Sequence, residues 1–179
     1  MAAAKNQKGR MDMQAMMKIY TKVGTPGGPH KRLATLAGSW ITRTTPWMEP
    51  DKPPMESKGA CKQKMILDGR FLQQEYTGDM MGTTFKGINL IGYDNHTRKY
   101  VSVWIDSMST AIYFFEGTAS RNGKTITQVS SYDDPARGPM TWRSVSRIVN
   151  DNTMAYEMYI TAKGGQEEKM MEMTLTRKK

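Results

Sequence analysis

The chain has 179 residues, 38% hydrophobic and 24% charged, a length and composition that suit one domain with a substantial core. No apolar run approaches the roughly 20 residues that span a bilayer, and the polar opening MAAAKNQKGR carries no apolar stretch of a signal peptide, so a cytoplasmic protein is expected. The net charge of +9 invites a nucleic-acid reading, but residues 1–32 carry seven Lys or Arg against Asp12 alone and Arg177, Lys178 and Lys179 supply the rest; the excess reads as solvated termini rather than a phosphate-binding groove.

The first element expected is a helix, because Met13, Met16, Met17 and Tyr20 fall on one helical stripe. Such a helix of about 12 residues is marginal alone, so it is expected to dock across one barrel end or on a neighbouring subunit, with Lys18 and Lys22 on its wet face. VGTPGGPH ends it, and Pro29 can open a second short helix that turns Leu33 and Leu36 toward the body. From Gly38 the pattern changes to short runs rich in β-branched and aromatic residues. Gly38 would let the chain turn into the first strand, and Trp40 would plug the end beneath. Turn chemistry separates the runs: Asp68-Gly69, YDNHTRKY, Asn122-Gly123, VNDNT and AKGGQE. About ten strands result, near 38–48, 55–67, 70–78, 84–93, 99–105, 111–119, 124–131, 140–149, 153–161 and 168–177. Consecutive hairpins make an antiparallel meander, which removes its edges by closing on itself. The expected fold is therefore mainly β: a single antiparallel up-and-down β-barrel of about ten strands. Residues 1–24 form a basic tail and amphipathic helix, and residues 25–179 the barrel domain.

Gly-x-Trp in the first strand is shared with lipocalin, fatty-acid-binding-protein and nitrobindin barrels, the calycins. Longer stretches, PHKRLATLAGSW, PPMESKG, MILDGRFLQQEYTGDMMG, GYDNHTRKYVSVWIDSMST and YEMY, resemble a bacterial family known as domain of unknown function 1579, over about residues 25–176. The resemblance implies a calycin-like barrel and no assigned activity, and brings no catalytic set with it.

Candidate chemistry is sparse. His30 stands beside a Pro-Gly loop and His96 in a predicted turn, neither suited to haem ligation on an inward strand. No His, Cys and carboxylate spacing suits zinc or di-iron, and no Ser-His-Asp or Cys-His set is visible. The single Cys61 reads as a small strand residue in a reducing compartment. The 17 methionines, clustered in MDMQAMM, GDMMG and KMMEM, could offer thioethers to copper(I), but they read first as fillers of irregular apolar space. Asp133 and Asp134 read as turn caps rather than an acid–base pair. No cofactor is expected.

The strand faces are more informative. RFLQQEY opposes Phe71, Gln73 and Glu75 to Leu72, Gln74 and Tyr76. YVSVWID opposes Tyr100, Ser102 and Trp104 to Val101, Val103 and Ile105. Several strands thus carry one apolar and one mixed aromatic and polar face, and a ligand-holding lumen would use the mixed one. The candidate ligand-binding residues are Trp40, Gln73, Glu75, Met80, Met81, Asn89, Trp104, Tyr113, Arg143 and Tyr156, with Met80 and Met81 in a Gly-flanked portal loop. Three readings stay open: a non-catalytic carrier or sensor for a small apolar or amphipathic molecule; an enzyme in the same lumen with Glu75 as a buried acid or base; and a homodimer or larger homo-oligomer with a filled barrel.

Overall fold

Two short helices precede ten strands, each hydrogen-bonded to its neighbours in sequence until the last closes on the first. The computed structural model describes residues 12–47, 56–80 and 82–179. Helix α1 spans Met13–Gly24 and α2 Gly28–Ala34; the strands are β1 (Gly38–Pro46), β2 (Ser57–Ile66), β3 (Phe71–Met80), β4 (Thr83–Asp94), β5 (Lys99–Asp106), β6 (Tyr113–Ala119), β7 (Thr125–Asp134), β8 (Gly138–Asn150), β9 (Thr153–Ala162) and β10 (Glu167–Arg177). The expected barrel of ten antiparallel strands with an N-terminal helical segment is thus the observed one. Closure leaves no unpaired sheet edge, which an open meander of this size would expose. The polar opening segment, residues 48–55 and Met81 lie outside the described residues.

Hairpin chemistry sits where the sequence places it. Leu67, Asp68 and Gly69 all take left-handed φ, 49°, 54° and 81°, between β2 and β3. Asp134 turns the β7–β8 connection by accepting from the N–H groups of Ala136 and Arg137, both at 2.9 Å. The Arg137 guanidinium, and after it these bonds, hold its carboxyl below the usual range.

One end of the barrel is closed. Pro29 sits in the first turn of α2, and Leu33 and Leu36 face the barrel, where they join Trp40, Leu72, Tyr100, Ile126 and Leu175 in one buried cluster. Burying each such side chain stabilises the fold by roughly 1.5–3 kcal/mol. Gly38 enters β1 at φ 136°, a backbone conformation that favours glycine. Two residues later the indole of Trp40 is buried and donates from Nε1 to the Leu36 carbonyl at 2.9 Å. Arg177, expected in a solvated tail, instead stacks over Trp40 at 4.2 Å and donates to the carbonyls of Ala37, Thr35 and Asp151. A guanidinium fork suits three carbonyls that the end of α2 and a turn leave without backbone donors.

Helix α1 does not take the first of its two expected places, across a barrel end. Asp12 caps it by accepting from Gln14 N–H, and Asn95 in the β4–β5 turn donates to the carbonyls of Val23 and Thr25. No residue of the helix is buried, and Met13, Met17 and Tyr20 are 57–65% exposed. It is tethered at its C-terminal end and docks its apolar stripe on neither barrel end.

Candidate functional site

Charge decides which face of each strand turns inward. Lys62, Lys64, Glu75, Lys86, Lys99, Glu116 and Arg143 share the outward parity, because an ion inside the barrel would lose its hydration without a partner. The opposite parity gives the lumen. The mixed aromatic and polar faces of β4 and β5, with Asn89, Tyr100, Ser102 and Trp104, therefore point inward.

The interior has a polar belt between two less polar ends. In register across four strands run Gln63, Gln74, Asn89 and Trp104, followed by Tyr113 on β6. Asn89 Nδ2 donates to Gln74 Oε1 at 2.7 Å, and Gln74 Nε2 donates to Gln63 Oε1 at 2.8 Å. Further round the barrel the Ser102 hydroxyl donates to Gln128 Oε1 at 3.3 Å, and Gln128 Nε2 donates to the Phe115 carbonyl at 3.5 Å. Each buried amide or hydroxyl needs such a partner, since leaving one unmet costs about 1–3 kcal/mol.

Beyond the belt, away from α2, the strands end in rings and methionines. Tyr113 stacks on Trp142, centroids 5.0 Å apart and planes 16° off parallel, and Tyr132 meets both edge-on. Trp104 lies between Phe85 and Tyr76, and Met158 packs with Tyr113 and Phe115. Gly87 makes room for the Trp104 indole: a Cβ there would lie 2.3 Å from its Cη2. Trp104, Tyr132 and Trp142 remain partly accessible, and a groove of about 490 Å³ runs over the ends of β7, β8 and β9, lined by Tyr132 and Met140 together with the outward-facing Asp133, Pro139 and Thr161. The Trp142 Nε1 is buried with no acceptor among the described residues.

The interior is chemically quiet. Burial pushes the Cys61 thiol up to about 12 and raises the Tyr76 and Tyr156 phenols, so all three stay protonated near neutrality. His30 sits in α2, its Nδ1 accepting from Gly27 N–H at 3.0 Å, and His96 lies in the β4–β5 turn. Among the described residues no three His, Cys, Asp or Glu side chains come together to hold a metal ion.

Of the expected site residues, Asn89, Trp104, Tyr113 and Tyr156 face inward, and Met80 ends β3 at the rim away from α2. Trp40 faces inward too, but as part of the closed end. Three are turned the other way. Gln73 and Glu75 lie on the outer wall, Gln73 Nε2 donating to Glu75 Oε1 at 2.6 Å, so the burial an acid or base at Glu75 would need is not there. Arg143 also faces out, forked onto Glu167 at 2.7 and 2.6 Å and stacked over Tyr159 at 4.1 Å. The lumen residues not singled out from sequence, Gln63, Gln74, Gln128, Tyr132, Trp142 and Met158, share the parity on which charge is confined to the strand ends, and that signal would have found them.

The family described as protein of unknown function (DUF1579) matches residues 25–177. Among solved structures, Rv2717c from M. tuberculosis is similar at TM-score 0.65 and 17% identity, covering 87% of this chain and 100% of that one. The S-type phycobiliprotein lyase CPES from Guillardia theta is similar at TM-score 0.60 and 11% identity, covering 89% of this chain and 98% of its own. At these identities the likeness is one of fold. No curated protein matches the chain.

Proposed function

The chain belongs to the DUF1579 family, and we propose that it is a non-catalytic carrier or sensor that holds a small, partly apolar molecule in the open end of its barrel. The observation that carries this reading is the belt of neutral amides and hydroxyls beneath a partly accessible aromatic rim. A barrel filled only for stability gains little from buried amides, whereas a binding site uses a few convergent polar groups in apolar walls to orient its ligand. Between buried His30 at the closed end and the rim acids Asp106, Asp134 and Glu168, the described inward positions carry no carboxylate or imidazole, and with the thiol and phenols held protonated this favours binding over proton-transfer chemistry. The ligand contacts are Asn89, Trp104, Tyr113 and Tyr156 with Tyr132 and Trp142, and Met80 at the entrance.

The test is a thermal-shift screen against fatty acids, isoprenoids, haem and flavins together with small neutral aromatics. A ligand specific for the native state at 100 times its Kd adds about 2.7 kcal/mol of stability. The shift should disappear in Tyr113→Asp, checked for folding by circular dichroism. No shift from any class would defeat the carrier reading.

A second reading, association of two copies, is favoured by one observation. The stripe of α1 is exposed, and on the outer wall Leu90, Val103 and Phe114 form an apolar row across β4, β5 and β6, with Phe114 67% exposed. A groove of about 520 Å³ runs along that row. The α1 stripe of one copy against this wall of another would cover both apolar surfaces at once. Sedimentation should then show a dimer that Met17→Asp with Tyr20→Asp converts to monomer. A wild-type monomer at high concentration would end this second reading and leave the first untouched.

A further inference from the structure

Charged side chains are sorted by the end of the barrel on which they stand. Consecutive antiparallel strands bring α2, the β2–β3, β4–β5, β6–β7 and β8–β9 turns and the C-terminus to the closed end, and the other connections to the rim. Lys31 on α2, Arg98 in the β4–β5 turn, Arg121 and Lys124 in the β6–β7 turn, and Lys178 and Lys179 after β10 are all exposed at the closed end. Helix α1, held there by Asn95, adds exposed Lys18 and Lys22. Among the described residues none of these cations takes part in an ion pair, whereas Lys64, Lys99, Arg143 and Arg147 on the wall each meet a carboxylate. The acids on α1 and at the closed end are fewer and mostly engaged. Asp12 caps α1, Asp68 faces Arg70, and Asp94 accepts from His96 N–H and the Thr97 hydroxyl, which leaves Asp151. The rim is the reverse: among its described residues Asp79, Asp133, Asp134, Glu167 and Glu168 outnumber Arg137 and Lys163.

Unpaired cations alone would mark a solvated surface, but apolar side chains stand among these. Met13, Met17, Ile19 and Tyr20 on α1 are 50–65% exposed, and Leu67 at the tip of the β2–β3 hairpin is 66% exposed. Lys18 and Lys22 lie on the face of α1 opposite Tyr20, so the helix is apolar on one side and cationic on the other. Its 12 residues reach about 18 Å, short of the roughly 30 Å hydrocarbon core of a bilayer, and no described helix is long and apolar enough to cross one. Such a helix suits the headgroup boundary instead, with its apolar face sunk about 5–10 Å and its cations against anionic lipid. Nucleic acid would meet the cations but leave Met17, Ile19 and Leu67 in water, because phosphate contacts reward charge alone. The apolar wall of a second copy would cover the α1 stripe but leave the cations of the barrel end unmet.

We infer that the closed end of the barrel, together with α1, docks on an anionic phospholipid surface. The stripe of Met13, Met17 and Tyr20 and the Leu67 tip enter the headgroup boundary, and the unpaired lysines and arginines meet lipid phosphates. An anionic surface repels the acidic rim, so the same charge distribution turns the rim away from the lipid. This docking takes the stripe that the second reading above gives to another copy, and it is independent of the carrier reading.

Co-sedimentation of the full chain with vesicles tests it. Phosphatidylcholine vesicles containing about 30% phosphatidylglycerol should bind the chain at least tenfold tighter than phosphatidylcholine alone, and about 0.5 M NaCl should release it. Met17→Asp with Tyr20→Asp changes exposed positions; it should keep the melting point and lose at least tenfold in binding. Arg121→Gln with Lys124→Gln alters the barrel end and leaves α1 intact. It should also weaken binding tenfold or more, since each cation near such a surface counts for roughly fivefold. Equal binding to the two vesicle types overturns the inference, as does either double variant binding like the wild type. Absence of vesicle binding overturns it too. In that case tight binding of a single-stranded oligonucleotide gives the basic end to nucleic acid, and a wild-type dimer that the α1 variant dissolves gives the stripe to a second copy.

Discussion

His30 shows how a residue that reads as chemistry from sequence serves structure instead. Its Nδ1 accepts from Gly27 N–H and its ring meets Tyr93 edge-on at 6.0 Å, so the neutral imidazole is the form that fits. Burial, more than the nearby Arg70 charge, lowers its pKa below the ordinary 6.5, and a hydrogen bond with the Tyr93 backbone opposes the shift. The unfolded chain therefore takes up this proton first as the pH falls. The stability is fully present above about pH 6.5 and is lost as pH drops from there through the folded pKa. The hydrogen-bonded carboxylates Asp94, Asp134, Glu157 and Glu167 have folded pKa values below their ordinary 3.8 or 4.5, so their contribution disappears only in stronger acid. Melting curves from pH 8 to 5 should fall below 6.5, and His30→Asn, which keeps an acceptor near Nδ1 but cannot be protonated, should flatten that fall. An identical slope in the variant would remove His30 as its source.

Among the elements, the closed end depends on contacts between segments far apart in the chain. β10 brings Arg177 beside the first turn of β1, where its three carbonyl bonds and its stack on Trp40 tie the end of the last strand to the end of α2. Arg177→Ala leaves those carbonyls without a charged donor and should cost about 2–3 kcal/mol in urea unfolding. Arg177→Lys should recover less than half, because an ammonium cannot span the three acceptors or lie flat on the indole. Full recovery by Lys would mean that charge alone matters at this site. Helix α1 lies at the other extreme, with its apolar stripe exposed and a side-chain tie from Asn95 at its C-terminal end.

For the molecule as a whole, ionic and apolar contributions are segregated by the barrel wall. The ion pairs Arg43–Glu56, Lys99–Glu116 and Arg143–Glu167 lie outside, their side chains 31–61% exposed, while both hydrophobic clusters lie within. Exposed pairs contribute about 0–1 kcal/mol each and are screened by salt. Raising NaCl from about 0.05 to 0.5 M should therefore move the melting point by less than about 4 °C, given roughly 2–4 °C per kcal/mol for a domain of this size. A fall of ten degrees or more would make the charged wall, rather than the interior, the main support. The same segregation leaves the inward positions between the closed end and the rim uncharged, and the molecule's net charge of +9 bears on its solubility.

What the sequence determined by itself is what local chemistry decides. Asp68-Gly69 and Asn122-Gly123 set hairpins, alternation set strands, Pro29 opened α2, and ten strands in a row without intervening helices implied a meander. The two parities of each strand were equally legible, down to the opposition of Gln73 and Glu75 to Leu72, Gln74 and Tyr76. Which parity faced inward was decided only by closure. The register from β1 round to β10 couples every strand to the side on which Trp40 is buried, and a slip of one residue would turn a whole strand's charges into the lumen. For that reason Asn89, Trp104, Tyr113 and Tyr156 came together while Gln73, Glu75 and Arg143 did not. Arg177 reads as tail from its basic neighbours because the carbonyls it binds are separated from it by up to 142 positions. Such long-range pairings exist only once the chain has folded, and they, rather than any local pattern, bring the rings, the amides and the unpaired indole together inside one barrel.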